Sequence, residues 1–130
     1  MRNVFSIIVF ALLPVLLFAQ KGSLPVSVDL EIGQAFKLKE AKVKFIRVIA
    51  DSRCPKQVTC IWPGEAKVLL GITVMGEYLE REVVISGTGA EIALAEDFQI
   101  LISQLIPYPE TAKKIAPEDY CLSFAAILGE

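Results

Sequence analysis

The stretch AKVLLGITVMGEYLEREVVIS, residues 66–86, decides the fold class of this 130-residue chain. From Ala66 to Val74 every second side chain is apolar, which is the period of a β-strand. Gly76-Glu77 is typical of a turn, and the chain from Tyr78 to Ser86 returns with strand-like composition. The pattern predicts a hairpin whose first strand lies in the middle of a sheet.

The apolar phase of that strand extends upstream to Val58 and includes Trp62, the only tryptophan of the chain. We therefore expect Trp62 to lie on the same face as Val68 and Leu70. In that position its truncation to alanine would remove a core contact, at about 3–5 kcal/mol.

Alternating segments recur on both sides of the hairpin, at residues 24–31, 36–38, 42–50, 98–106 and 120–128. The alternation changes phase near Phe45-Ile46, which predicts a bulge or a strand buried on both faces. Residues 90–95 are ambiguous between strand and helical turn, and residues 110–115 suggest one helical turn before Pro117. Short strands separated by turns predict an all-β fold, an antiparallel sandwich or small barrel of about seven strands.

The hairpin predicted over residues 36–50 carries a lysine-rich outer face. Its cations would lie across from one another, which is mildly destabilising unless carboxylates or an anionic partner offset them. Protection of a sheet edge from aggregation is the alternative interpretation. The residues concerned are Lys37, Lys39, Lys42 and Lys44.

Residues 1–19 have the pattern of a secretory signal peptide, with Arg2, an apolar run from Val4 to Phe18, and Ala19 before the expected cleavage point. The run is shorter than the roughly 20 residues that span a bilayer, and no second one follows. Residues 20–130 are then a single secreted domain, with no membrane span after cleavage. We expect it to be soluble in the periplasm or outside the cell.

The charge of the chain argues against nucleic acid as a partner. The whole chain has 13 Lys and Arg against 15 Asp and Glu, and removing Arg2 leaves 12 against 15, or about −3. Proteins that bind nucleic acid carry a basic excess or stripe.

Three cysteines are present, and export predicts an oxidising compartment. Cys54 and Cys60 would close a seven-residue loop, worth about 2.4 kcal/mol in the chain-entropy treatment. A redox-active pair is disfavoured because its usual motif is Cys-x-x-Cys. Cys121 could instead pair with Cys54 or Cys60. Otherwise it is a small buried residue of the last strand, a reactive thiol, or the cysteine that links two chains in a dimer.

Catalysis and metal binding find little support in the composition. The chain has no histidine, so the usual base of a serine or cysteine nucleophile is missing, and zinc would lack ligands. Asp51 and Glu65 could bind calcium through their carboxylates, but the sequence around them does not resemble a calcium-binding loop. Glu80 and Glu82 share a strand face, which is typical of solvated surface and only weakly suggests a carboxylate enzyme. We predict a non-enzyme with no cofactor.

The least generic stretch is DSRCPKQVTCIWPGEA, residues 51–66. It predicts a binding face for an unknown protein or small ligand of the cell envelope, with Arg53, Lys56 and Trp62 as candidate binding residues. In a structural alternative, Arg53 pairs with Asp51 or Glu65 and Trp62 covers the disulfide. In another, residues 55–59 form a rigid loop that inhibits a protease.

Together with Pro107-Tyr108-Pro109 and the strand that begins at Tyr120, this stretch resembles a group of small secreted or lipid-anchored bacterial proteins of unknown function. Their signature is DSRCPxxVxCxWxGEA, and Pro63 stands here where alanine is expected. The resemblance covers about 16 residues. It implies a secreted β domain with bridged cysteines and brings no activity with it.

Overall fold

The computed structural model describes residues 24–129, which form eight β-strands and one short 3-10 helix. The strands are β1 (Val26–Glu31), β2 (Ala35–Leu38), β3 (Ala41–Asp51), β4 (Ala66–Val74), β5 (Glu77–Ile85), β6 (Ala90–Ala95), β7 (Phe98–Ile106) and β8 (Cys121–Leu128). One antiparallel sheet has the order β1-β8-β7-β6, and the other has the order β2-β3-β4-β5. The predicted all-β fold is confirmed, as a sandwich, and residues 90–95 supply the eighth strand.

The signal peptide predicted over residues 1–19, and the domain start at residue 20, lie outside the described residues. Within residues 24–129, no helix has the length and apolar character needed to cross a membrane.

The core lies between the two sheets and follows the period-two pattern of the sequence. In β4 the side chains of Ala66, Val68, Leu70 and Ile72 are all buried, and β3 and β5 flank this strand as predicted. Burying a Val, Leu, Ile or Phe side chain contributes about 1.5–3 kcal/mol each. The facing sheet supplies the other half of the core, with Leu30, Ile92, Phe98, Ile100, Ile102, Leu105, Tyr120, Leu122, Phe124 and Ala126.

Strand β3 is eleven residues long, whereas its neighbour β2 has only four. The register of β3 against β4 shifts between Phe45 and Arg47, so of the two predicted alternatives the bulge is the one found, and it shifts again between Val48 and Ala50. Strand β2 pairs with Ala41–Lys44 alone. The second half of β3 therefore has a strand partner on the β4 side and none on the other side among the described strands.

The lysine-rich hairpin is confirmed, since Lys37 lies directly opposite Lys42 in the β2–β3 register. The helical turn predicted over residues 110–115 is wrong: the 3-10 helix spans Pro117–Asp119. Proline is well suited to the first turn of a helix, where its missing N–H needs no partner.

Candidate functional site

The loop of residues 52–65, here called the disulfide loop, joins β3 to β4. Its two arms are paired: Ser52 N–H donates to Glu65 O at 2.8 Å, and Cys54 N–H donates to Pro63 O at 2.9 Å. Cys54 and Cys60 form a disulfide with a Cα–Cα distance of 5.9 Å, which confirms the predicted bridge. The loop is thus closed at its base and again near its tip.

The disulfide loop is also attached to the segment that follows β7. Lys56 N–H donates to Pro109 O at 3.0 Å, and Gln57 N–H donates to Glu110 O at 2.9 Å. Tyr108 Oη donates to Cys54 O at 2.7 Å. Because two separate parts of the chain hold it, the loop has a fixed orientation on the end of the sandwich.

Arg53 is the centre of this attachment. Its guanidinium donates two hydrogen bonds to the Asp51 carboxylate, Nε to Oδ1 and Nη2 to Oδ2, both at 2.8 Å. It also donates to Leu105 O at 2.5 Å and to Pro107 O at 3.1 Å. The Arg53 side chain is 9% exposed and that of Asp51 is 13% exposed. Such a bidentate arginine–carboxylate contact is among the stronger polar interactions in proteins.

Tyr120 completes this cluster by donating from Oη to Asp51 Oδ2 at 2.8 Å. Burial alone raises the pKa of Asp51, but the hydrogen bonds from Arg53 and Tyr120 outweigh it and hold that pKa below its usual value. Burial, followed by the hydrogen bond to Asp51, raises the pKa of Tyr120 to about 12. Asp51, Arg53 and Tyr120 are hereafter called the polar anchor.

We expect one tyrosine of the folded protein to ionise near pH 12, as an absorbance titration of phenolate will show. Because the folded pKa of Tyr120 is raised, its contribution to stability is complete below about pH 10 and is lost as pH rises through about 12. Tyr120→Phe should remove the ionisation near pH 12, whereas Tyr78→Phe, at an exposed tyrosine of β5, should leave it in place. An ionisation near pH 12 that survives Tyr120→Phe would contradict the assignment.

The tip of the disulfide loop exposes apolar side chains to solvent. Trp62 is 78% exposed, Ile61 is fully exposed and Val58 is partly exposed. We call these three residues the apolar tip. The expectation that Trp62 packs with Val68 and Leu70 is wrong. The alternation breaks before β4, because Gly64 has φ +69° and turns the chain at the start of the strand.

The three candidate binding residues therefore occupy different environments. Arg53 lies inside the polar anchor, whereas Lys56 and Trp62 are exposed. The Lys56 ammonium lies 5.8 Å from the centre of the Tyr108 ring, and the Arg53 guanidinium lies 5.2 Å from it. Both separations are within the range of cation–π attraction. Tyr108 thus links the two basic candidates.

Neither Ile61 nor Tyr108 was predicted from the sequence to have a role at this site. The adjacent apolar pair Ile61-Trp62, placed directly before Pro63-Gly64, was a signal for Ile61, because two successive apolar residues next to a bend cannot both face one core. Tyr108 belongs to the Pro107-Tyr108-Pro109 motif of the resemblance, but the motif gave it no role, since its partner Cys54 is 54 residues away along the chain.

The other candidates take part in no site of this kind. Glu80 and Glu82 are exposed on β5, and Glu80 accepts a hydrogen bond from Tyr78 at 3.1 Å. Cys121 is the free cysteine of the described residues and is half-buried, so the alternative in which it competes for the bridge is wrong. Burial and the nearby Asp29 and Glu31 raise its pKa. In residues 24–129, no three His, Cys, Asp or Glu side chains cluster as metal ligands would.

The loop predicted as a possible protease inhibitor, residues 55–59, forms a tight turn in which Val58 N–H donates to Pro55 O at 3.1 Å. Inhibition by strand addition would need free backbone donors, and those of Lys56 and Gln57 already bind the segment after β7. The turn geometry therefore gives this alternative no specific support.

Fold and site together define a β-sandwich with one disulfide-closed loop that is rigidly attached and apolar at its tip. Comparisons of the chain with protein-family models, with curated proteins and with solved structures found no match.

Proposed function

We propose that the chain is an exported, non-catalytic binding module whose apolar tip enters a pocket on a partner in the cell envelope. The observation that carries the proposal is the exposure of Trp62 and Ile61 on a loop held by a disulfide and by hydrogen bonds from two sides. Adjacent exposed apolar side chains such as Ile61 and Trp62 mark interaction sites more often than single ones do, and tryptophan is a frequent anchor of interfaces.

Rigidity supports a recognition role for this loop. A flexible segment loses conformational entropy when it binds, whereas a loop that is already fixed loses little. The disulfide and the polar anchor fix the loop, and neither interaction requires Ile61 or Trp62 to be apolar. Export is supported by the disulfide, because such bonds persist in oxidising compartments.

The test uses protein immobilised on beads and an extract of the source organism's cell envelope. The double variant Ile61→Ser/Trp62→Ala should capture at least tenfold less of the partner than the original chain does. Met75→Asn is the matched control: Met75 is 77% exposed, lies on the β4–β5 turn, and has φ +51°, which asparagine tolerates. Met75→Asn should capture as much as the original chain.

Trp62→Ala should also change the free energy of unfolding by no more than about 0.5 kcal/mol, because an exposed side chain has few contacts to lose. Denaturant melts measure this directly. Equal capture by the double variant, or a loss of several kcal/mol in Trp62→Ala, would contradict the proposal.

A further inference from the structure

A groove of about 560 Å³ runs between the second half of β3 and the segment of residues 109–117. Its volume lies in the range of sites that hold ligands or peptide segments. It is separate from the apolar tip, none of whose three residues lines it.

The groove follows the edge of β3 and does not lie over a face of the sheet. All residues from Arg47 to Asp51 line it consecutively. Successive side chains of a regular strand point to opposite faces, so a depression over one face would be lined by alternate residues. The register shift between Val48 and Ala50 lets two neighbouring residues share a side, which does not account for five consecutive lining residues. Consecutive lining places the groove beside the strand, where its backbone is accessible.

That edge has no partner strand among the described residues. Strand β2 pairs with Ala41–Lys44 of β3. Just before β2, the carbonyl of Gln34 accepts a hydrogen bond from the N–H of Phe45, and within the described part of the chain this backbone pairing extends no further along β3. No backbone hydrogen bond within residues 24–129 joins Arg47–Ala50 to the opposite wall at 109–117. An unpaired edge of this kind can accept an extended peptide as an additional strand.

The charges of the groove indicate which peptide would fit. Arg47, Lys113 and Lys114 are exposed at its rim, and the one carboxylate in the lining, Asp51, is already paired with Arg53. The chain as a whole has a formal net charge of −2, so this concentration of cations is local. Complementary charge steers partners to such a surface and selects among them.

We propose that the groove binds an extended acidic segment of a partner protein, which adds as a strand to the free edge of β3. Backbone hydrogen bonds to the Arg47–Ala50 edge hold the segment. Carboxylates on the segment face Arg47, Lys113 and Lys114. The half-buried side chains of Val48 and Ile115 give its apolar residues a surface to cover.

The test uses two pools of end-blocked decapeptides in which glutamate or lysine alternates with valine, isoleucine, threonine or tyrosine. The glutamate pool should yield binders and the lysine pool none. In NMR titrations with a selected binder, the largest amide shift changes should fall at residues 47–50. The peptide is made in two further forms, each N-methylated at one of the two alternating sets of backbone nitrogens. One form should bind at least tenfold more weakly than the unmodified peptide, because it loses the donors that pair with β3.

The double charge reversal Lys113→Glu/Lys114→Glu should weaken the selected peptide about tenfold or more. The reversal Lys37→Glu/Lys42→Glu makes the same change in net charge on the lysine hairpin and should leave binding within about twofold. Trp62→Ala should have no effect, which distinguishes this site from the apolar tip.

Any one of three results of the peptide experiments would overturn the inference. They are the absence of any acidic binder tighter than about 1 mM, binding of both N-methylated forms as tight as that of the unmodified peptide, and equal binding by the Lys113/Lys114 variant. Sedimentation provides a further test. If the chain self-associates and the Lys113/Lys114 variant does not, the free edge of β3 binds a second copy of the chain, and the inference of an acidic partner segment is overturned.

Discussion

Arg53→Ala is expected to lower the free energy of unfolding by about 3–5 kcal/mol, as the loss of one member of a buried ion pair does. The substitution leaves the Asp51 carboxylate with Tyr120 as its remaining side-chain partner and removes both bonds to the carbonyls of Leu105 and Pro107. Leu105 and the Asp51 side chain are largely shielded from water, so solvent replaces the lost donors poorly there.

Arg81→Ala is the matched control, because Arg81 is an exposed arginine on β5. Denaturant melts should show a change of no more than about 0.5 kcal/mol for it. Arg53→Lys keeps the charge but not the planar pair of donors, and should recover only part of the loss. An Arg53→Ala melt that matches that of Arg81→Ala would show that the polar anchor does not stabilise the fold.

Gly64→Ala is expected to be the second severe substitution, at about 3 kcal/mol or more. The left-handed conformation at φ +69° alone costs about 1–2 kcal/mol for a residue with a Cβ. In addition, a Cβ at this position would collide with the backbone carbonyl of Ser52. Ser52 is held in place because its N–H donates to the carbonyl of Glu65, the residue directly before β4. The two arms of the disulfide loop would have to separate.

Gly76→Ala separates these two contributions. Gly76 has φ +80°, but apart from its two chain neighbours no residue lies within 4 Å of the position that an alanine Cβ would occupy, so its substitution tests conformational strain alone. Thermal or denaturant melts should show a cost of about 1–2 kcal/mol for Gly76→Ala and a clearly larger one for Gly64→Ala. Equal costs would mean that the arms of the loop yield without resistance.

Arg53 and Trp62 were expected to act alike, either both as structure or both as surface. The structure divides them: Arg53 is enclosed by the polar anchor, whereas Trp62 is exposed at the apolar tip. One loop therefore carries a structural half and an exposed half. Sequence pattern could not separate the halves, because both lie within ten residues of each other.

The sequence by itself determined most of the strands and the buried face of β4, and it favoured the Cys54–Cys60 bridge over a pairing with Cys121. Each of these depends on residues close together in the chain, because side-chain alternation and short-loop closure are properties of the local backbone. The sequence left residues 90–95 open between strand and helical turn, and the phase change in β3 open between a bulge and burial on both faces.

Only the tertiary structure decided the division into two sheets, the exposure of Trp62, the partners of Arg53 and the free edge of β3. These depend on which distant segments meet: Arg53 finds the carbonyls of Leu105 and Pro107 more than 50 residues away, and Tyr120 reaches Asp51 across 69 residues. A local period specifies which side of a strand is apolar, but it contains no information about which other strand or loop will cover that side.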